Sequence, residues 1–308
     1  MITRIHTISN YFATWNTSRI LAIALLAVLF SIVFFGRIRL EDLPANIATE
    51  IGSIVITVLL IDALNERRAK QELKQQLIRE MGSNNNGVTL RAVEELRAHG
   101  WLQDGSLSGM QFKWANLQRA YLKNANLSGA LFGAVANILD VEEGTKWNEY
   151  WESKYPDEYN VGTNLRGAFL DHSNLRGTRL NWSNLQAARL FKADLEDAYM
   201  FNSDHSGAMG ISDNQLARAN ILLHATMPDG ERYDGRYNLP GDLHAASESG
   251  AIKKIEYMAE FYGVSLERYL HGQEWAQKNL HKLGDRDSFL TEYHGEVVHF
   301  WGEQEEFE

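Results

Sequence analysis

Residues 163–202 read TNLRG AFLDH SNLRG TRLNW SNLQA ARLFK ADLED AYMFN, with Leu165, Leu170, Leu175, Leu180, Leu185, Leu190, Leu195 and Met200 five positions apart. A helix rotates each successive Leu by about 140° and scatters the set round its axis, while a strand alternates it between two faces. Neither element gathers these side chains, but a coil that turns a corner every five residues points all of them inward. The same phase runs through residues 105–134, GSLSG MQFKW ANLQR AYLKN ANLSG ALFGA, which place Leu107, Phe112, Leu117, Leu122, Leu127 and Phe132. In most units an Ala or another small residue stands two positions before the large one.

This pattern resembles the pentapeptide-repeat family, whose unit is A(N/D)LXX, and fourteen units of this chain carry it. The resemblance implies a right-handed quadrilateral β-helix, four pentapeptides to a coil, with the central Leu or Phe and the small residue filling its interior. Each buried Leu contributes roughly 1.5–3 kcal/mol, partly offset by ordering entropy. No coil hides its apolar side without a neighbour, so both ends of the stack require caps.

Between the blocks the phase slips, since the 33 positions from Phe132 to Leu165 are not a multiple of five. An insertion over 133–162 accounts for the slip. It carries seven acids against Lys146 and Lys154, together with Trp147, Tyr150, Trp151, Tyr155 and Tyr159. Long insertions project from solenoids and often carry function, which makes these five aromatics the candidate partner-binding residues. The plainer alternative is that Trp147, Trp151 and Tyr155, four apart on one helical face, pin the excursion back onto the coils.

Toward the N-terminus, residues 20–36 (ILAIALLAVLFSIVFFG) contain no charge and are closed by Arg19 and Arg37. Seventeen residues at 1.5 Å each give roughly 25 Å, close to the hydrocarbon thickness once the arginine stems are added. A cleaved signal peptide is the rival reading, but no A-x-A-like site follows. A second span is expected over about 43–64, LPANIATEIGSIVITVLLIDAL, with Glu50 and Asp62 toward its ends. Charges within a span are costly and mark functional candidates by default, whereas at the interface they are merely tolerated. Ala48, Gly52 and Ser53 offer a small-residue strip for packing against the first span or against a second copy, a homo-oligomer. Arg37 and Arg39 lie between the spans, against Arg4, Arg19, Arg67, Arg68, Lys70 and Lys74 outside them. The positive-inside rule then places both termini and the repeats in the cytoplasm, in a multi-pass protein of the inner (plasma) membrane. TEIGSIVITVLLIDALNERR, LIREMGSNNN and RAVEELRAHGWLQDGSL also resemble the N-terminal region of membrane-bound pentapeptide-repeat proteins of cyanobacteria and related bacteria.

The expected architecture is therefore mixed: two transmembrane α-helices (1–64), a helical stalk and N-terminal cap (65–102), the β-helix (103–241) and a helical C-terminal segment with a disordered tail (242–308). In the stalk, Leu73, Leu77, Ile78 and Met81 form an apolar stripe, and the Asn84–Asn86 run with Gly87 breaks the helix. A second short helix is expected over about 89–99, with Leu90, Val93 and Leu96 on one face and Gly100 at its end. Beyond Asn202 the repeat decays, with Ala219 and Ile221 suggesting one last partial unit. A helical pattern from Asp242 to about Leu280, with Ile252, Ile255, Met258 and Ala259 on one face, suits a cap.

The net charge of −10 is unevenly spread. The first repeat block balances at +3 and the second at +1, whereas 242–308 balance fourteen acids with six bases. Members of the resembled family are read as partner-binding scaffolds or as acidic rods that imitate DNA, and a mildly basic rod does not imitate phosphates. Nor do scattered cations without stacking aromatics make a nucleic-acid surface. The chain has no cysteine, which excludes disulfides and thiolate chemistry. His271, His281, His294 and His299 lack metal-ligand spacing, and no phosphate loop or nucleophile elbow appears. The reading is a non-catalytic scaffold without metal or cofactor, bound to an unknown protein partner and to membrane lipid through its two spans. The alternative is a small oligomeric transport or sensing component using Glu50 and Asp62.

Overall fold

The computed structural model describes residues 45–133 and 162–283 and the single helical residue Ala24; of residues 45–51 it describes the backbone alone. The segment 20–36, apart from Ala24, and the five aromatics of the insertion lie outside the described residues. Backbone proximity divides the chain into two units, residues 1–75 and 76–308.

Helix α1, Ala45–Met81, is one continuous helix of 37 residues. In the first unit it leaves Ile54, Ile56, Leu59, Leu60, Ile61 and Leu64 between 41% and 67% exposed, while Val55 and Asp62 are buried. No helix among the described residues is long and apolar enough to cross a membrane.

In the second unit, Leu77, Ile78 and Met81 at the end of α1 join the core, whereas Leu73 one turn earlier stays 40% exposed. The break falls at residues 82–85, and helix α2, Asn86–Ala98, begins three residues earlier than its apolar face suggests. The reason is a cap: the Asn85 side chain accepts from the amides of Gly87 and Val88. Its other end closes as a Schellman turn, with Gly100 N–H on Arg97 and Trp101 N–H on Leu96 at 2.8 Å. Thr89, Ala92, Val93 and Leu96 are buried, and Leu90 is only partly so. These two helices cover the open edge of the first coil, where the amides of Asn116 and Asn126 donate to the carbonyls of Ser83 and Leu102.

The solenoid is built from isolated parallel bridges, one per side, between residues twenty positions apart: Gln111 with Leu131, Asn164 with Asn184, Phe169 with Arg189, Asn174 with Asp194, Arg179 with Tyr199. Four pentapeptides thus complete a coil. Between successive units the small residue's amide donates to the carbonyl three back, as Ala120 does to Leu117 and Ala188 to Leu185. The residue before it takes a positive φ, 59° at Arg119, 56° at His172 and 54° at Lys192, the geometry of a type II turn. All fourteen large interior residues are buried to 2% exposure or less.

Asn116 pairs with Asn164, 48 positions on where a coil takes 20, an excess of 28. The closing bond of the turn persists across the gap, with Thr163 N–H donating to Phe132 at 2.9 Å, but Gly162 lacks the positive φ that the regular turns have at this position. Gly133 and Gly162 occupy its two corner positions, so the extra residues, 134–161, are spliced between them. A Cβ at Gly133 would stand 2.0 Å from the Asn181 carbonyl oxygen, and one at Gly162 2.2 Å from that of Trp182.

The repeat does not decay at Asn202. Asp204 pairs with Asn184 and Met209 with Arg189, so the coil continues with His205 in the interior position. Helix α3, Asp213–Leu216, then interrupts a corner. Tyr199 meets Ile221 at a spacing of 22, two residues more than a coil. Those two residues shift the phase, and Leu222 rather than Ile221 follows the interior register set by Met200. The C-terminal helical pattern resolves into α4 (Pro240–Glu248), α5 (Ile255–Tyr262) and α6 (Leu266–Asn279), separated near Gly250 and Gly263. They close the last coil: Gly241 N–H donates to Asn220, and the buried Asp242 carboxylate accepts from the amides of Leu222 and Leu223 at 3.1 and 2.9 Å. Met258 and Ala259 are buried there, with Ile252 and Ile255 half-buried beside them.

Candidate functional site

Of the residues singled out from sequence, Trp147, Tyr150, Trp151, Tyr155 and Tyr159 lie outside the described residues, and so does the side chain of Glu50. Asp62 is buried, 4% exposed, amid exposed aliphatics. Twelve residues of continuous helix set it roughly 18 Å along the axis from Glu50, so α1 does not bring the two carboxylates together.

What the solenoid offers instead follows from its bridge residues. The first side presents Asn116, Asn164, Asn184 and Asp204, and the third presents Asn126, Asn174 and Asp194. Their Oδ1 atoms accept from the amide two residues on: Arg166 to Asn164 at 3.1 Å, Arg176 to Asn174 at 3.0 Å, Gln186 to Asn184 at 3.0 Å, Glu196 to Asp194 at 3.1 Å. The Asn/Asp of the repeat is thus consumed in holding corners. The second and fourth sides do not follow this rule.

On the second side the bridge column runs Tyr121, Phe169, Arg189, Met209. The Tyr121 and Phe169 rings are tilted by 32° to each other, with centroids 5.7 Å apart. The guanidinium of Arg97, from α2, covers Tyr121 at 4.7 Å, and that of Arg189 lies 5.4 Å from Phe169 and 5.5 Å from Phe191. Arg189 also bridges the buried Asp171 at 3.1 Å. Tyr121, Phe191 and Met209 remain 40%, 47% and 48% exposed. Arg119, Lys123, Arg166 and Lys192 flank the stripe on its two corners; the acids there are Asp171 and, where α3 interrupts the corner after Met209, Asp213. The acids of the second block, Asp194, Glu196 and Asp197, lie one side away, where Arg176 bridges Glu196 at 2.8 Å and Asp197 at 3.6 Å. A block that sums to +1 is therefore segregated by face, and folding the sequence at period twenty would have revealed it.

Sequence reasoning also missed an interior polar cluster. His205 Nε2 lies 2.7 Å from Ser203 Oγ, which in turn donates to the Met200 carbonyl. His205 Nδ1 and Ser183 Oγ, one coil earlier in the Ser203 column, have no hydrogen-bond partner among the described residues. Burial pushes the His205 imidazole down to about 4, and burial together with the Arg232 guanidinium does the same to His224. This cluster is sealed from solvent, and its bearing is on stability rather than recognition. Among the described residues no three His, Asp or Glu side chains group to hold a metal.

Comparison with known proteins agrees with the repeat. The model of the pentapeptide-repeat family matches eight copies over residues 102–133 and 161–197. The chain carries pentapeptide repeats, which imply a right-handed quadrilateral β-helix, and the bridges extend that coil past the matched residues. Among solved structures it is similar to a pentapeptide repeat protein from the thylakoid lumen of Arabidopsis thaliana. That match has 18% identity and a TM-score of 0.23, covering 43% of this chain and 72% of that one. It is also similar to HetL, a pentapeptide repeat protein involved in heterocyst differentiation regulation from the cyanobacterium Nostoc. Here identity is 26% and the TM-score 0.17, covering 40% of this chain and 39% of that one. No curated protein matches.

Proposed function

We propose that this protein is a membrane-anchored, cytoplasm-facing scaffold that recruits a protein partner through its solenoid and performs no catalysis. The observation carrying the scaffold reading is the division of labour among the sides: two spend their polar residues on the corners, and two present side chains outward. A stack of coils displaying one column of side chains is suited to binding. The anchor reading rests on the uncharged run 20–36 and on the six exposed aliphatics of α1, whose burial in lipid removes an apolar surface that water disfavours.

The absence of native cysteine gives a direct test, because Lys123→Cys supplies the only thiol. In intact cells an impermeant maleimide leaves this variant unlabelled, and in inverted vesicles it labels it. Labelling from outside the cell, or release of the chain by alkaline carbonate, overturns the reading. The burial of Asp62 among exposed aliphatics supports a second reading, an oligomeric transport or sensing component. If Glu50→Gln and Asp62→Asn abolish cellular function while deletion of 134–161 does not, that reading replaces the scaffold.

A further inference from the structure

The stripe Tyr121–Phe169–Arg189–Phe191–Met209 answers to a specific partner chemistry. We propose that it docks an acidic segment of a partner protein, in which carboxylates alternate with apolar side chains. The proposal rests on the scaffold reading and names the face and the ligand within it.

Apolar character and charge occur together there. Tyr121, Phe191 and Met209 expose edges and a thioether along the axis of the stack, where successive coils are set about 4.8 Å apart. Arg97, Arg119, Lys123, Arg166 and Lys192 are exposed round them, Asp171 is neutralised by Arg189, and Asp213, at the far end where α3 begins, accepts from the Tyr237 hydroxyl. Cations outnumber acids on this face, so an acidic ligand gains charge-assisted contacts at its rim.

Nucleic acid shares the negative charge but not the fit. Single strands bind by laying bases on free aromatic faces. Here the guanidinium groups of Arg97 and Arg189 lie over the Tyr121 and Phe169 rings, which lean on each other at 32°, so a base would have to displace an arginine from each ring. What remains open are ring edges and a methionine, surfaces that suit Leu, Ile or Phe side chains. The ladder amides are spent between coils, so the partner is read by side chains and not by strand addition.

The test uses the full chain in detergent micelles and a fluorescein-labelled peptide alternating Glu with Leu and Phe, followed by anisotropy. We expect saturable binding that weakens with salt. Arg166→Glu with Lys192→Glu, and separately Phe191→Ala with Met209→Ser, each weaken it about tenfold or more, whereas Arg218→Glu on a distant corner leaves it unchanged. All these positions are solvent-facing, and unchanged melting by circular dichroism separates lost binding from lost fold. No binding, equal binding of the peptide with Gln in place of Glu, or tighter binding of an oligo-dT strand overturns the proposal. A photo-crosslinking residue at Tyr121 and another at Tyr199, on the fourth side, separate the two failures. Partner capture at Tyr199 alone overturns this face and leaves the scaffold standing, and capture at neither overturns both.

Discussion

Thr163 N–H donates to the carbonyl oxygen of Phe132 at 2.9 Å, closing across 31 positions the turn that Ala120 closes onto Leu117 within four residues. The solenoid is therefore geometrically continuous through its insertion. Joining Gly133 directly to Gly162 by deleting 134–161 restores an uninterrupted pentapeptide register. The deletion variant is expected to melt within a few degrees of the parent. By contrast Gly162→Ala, whose Cβ would meet the Trp182 carbonyl, is expected to cost at least about 2 kcal/mol. Urea denaturation compares the two, and a deletion that unfolds would show that the insertion completes the core.

Outside the turn at the insertion, the second corner residue of the regular turns has positive φ, and this one position is filled by Gly in some units and by Ala187, Lys192 or Asn202 in others. Ala187 sits at φ 53°, so Ala187→Gly is expected to stabilise by about 0.5–1 kcal/mol, the left-handed penalty less the added chain entropy. Gly177 has the same conformation with open space where its Cβ would point, so Gly177→Ala is expected to cost a similar amount. Shifts of the same sign in both variants would show that the corners are not limited by φ.

Asp242, in the first turn of α4, fastens the C-terminal cap to the last coil through the amides of Leu222 and Leu223. Asp242→Ala leaves two buried amides without an acceptor and is expected to cost about 2–4 kcal/mol. Proteolysis should then begin within the C-terminal helices. Hydrogen exchange at Leu222 and Leu223 checks the mechanism, since loss of stability without faster exchange there would place the damage elsewhere.

The interior ladder was legible because a period of five has one structural solution, and each of the fourteen residues on that period is buried. Later units were harder to read because they break the composition rule while keeping the geometry. Ser203–Asp204–His205–Ser206–Gly207 keeps a small residue, an Asp corner holder and a glycine at the turn, yet puts a histidine where Leu belongs. The last partial unit, expected on Ala219 and Ile221, is one step out of phase because α3, started by the Ser212–Gln215 capping box, adds two residues to the coil. The stripe was missed for a different reason. Tyr121, Phe169, Arg189 and Met209 become neighbours only once the coil length and the size of the insertion are both known.

His205 shows what the broken composition rule does to stability. Its imidazole is buried in place of a Leu and, with His224, is pushed from 6.5 down to about 4. In the unfolded chain both rings bind a proton near their ordinary value, so between about pH 6.5 and 4 the unfolded state holds more protons than the folded one. Stability from these groups is full above that window and falls as pH drops through it, by on the order of 3 kcal/mol for each ring at the acid limit. His205→Leu replaces the titrating ring with the residue that fills this position elsewhere, while Ser203 keeps its bond to the Met200 carbonyl. The variant is expected to gain more stability at pH 5 than at pH 8, as read by urea denaturation at both. His224→Gln, on a corner beside Phe201 and Arg232, removes the second titration separately. Equal gains for His205→Leu at the two pH values would mean that the ring is already protonated or that water reaches it in the folded coil.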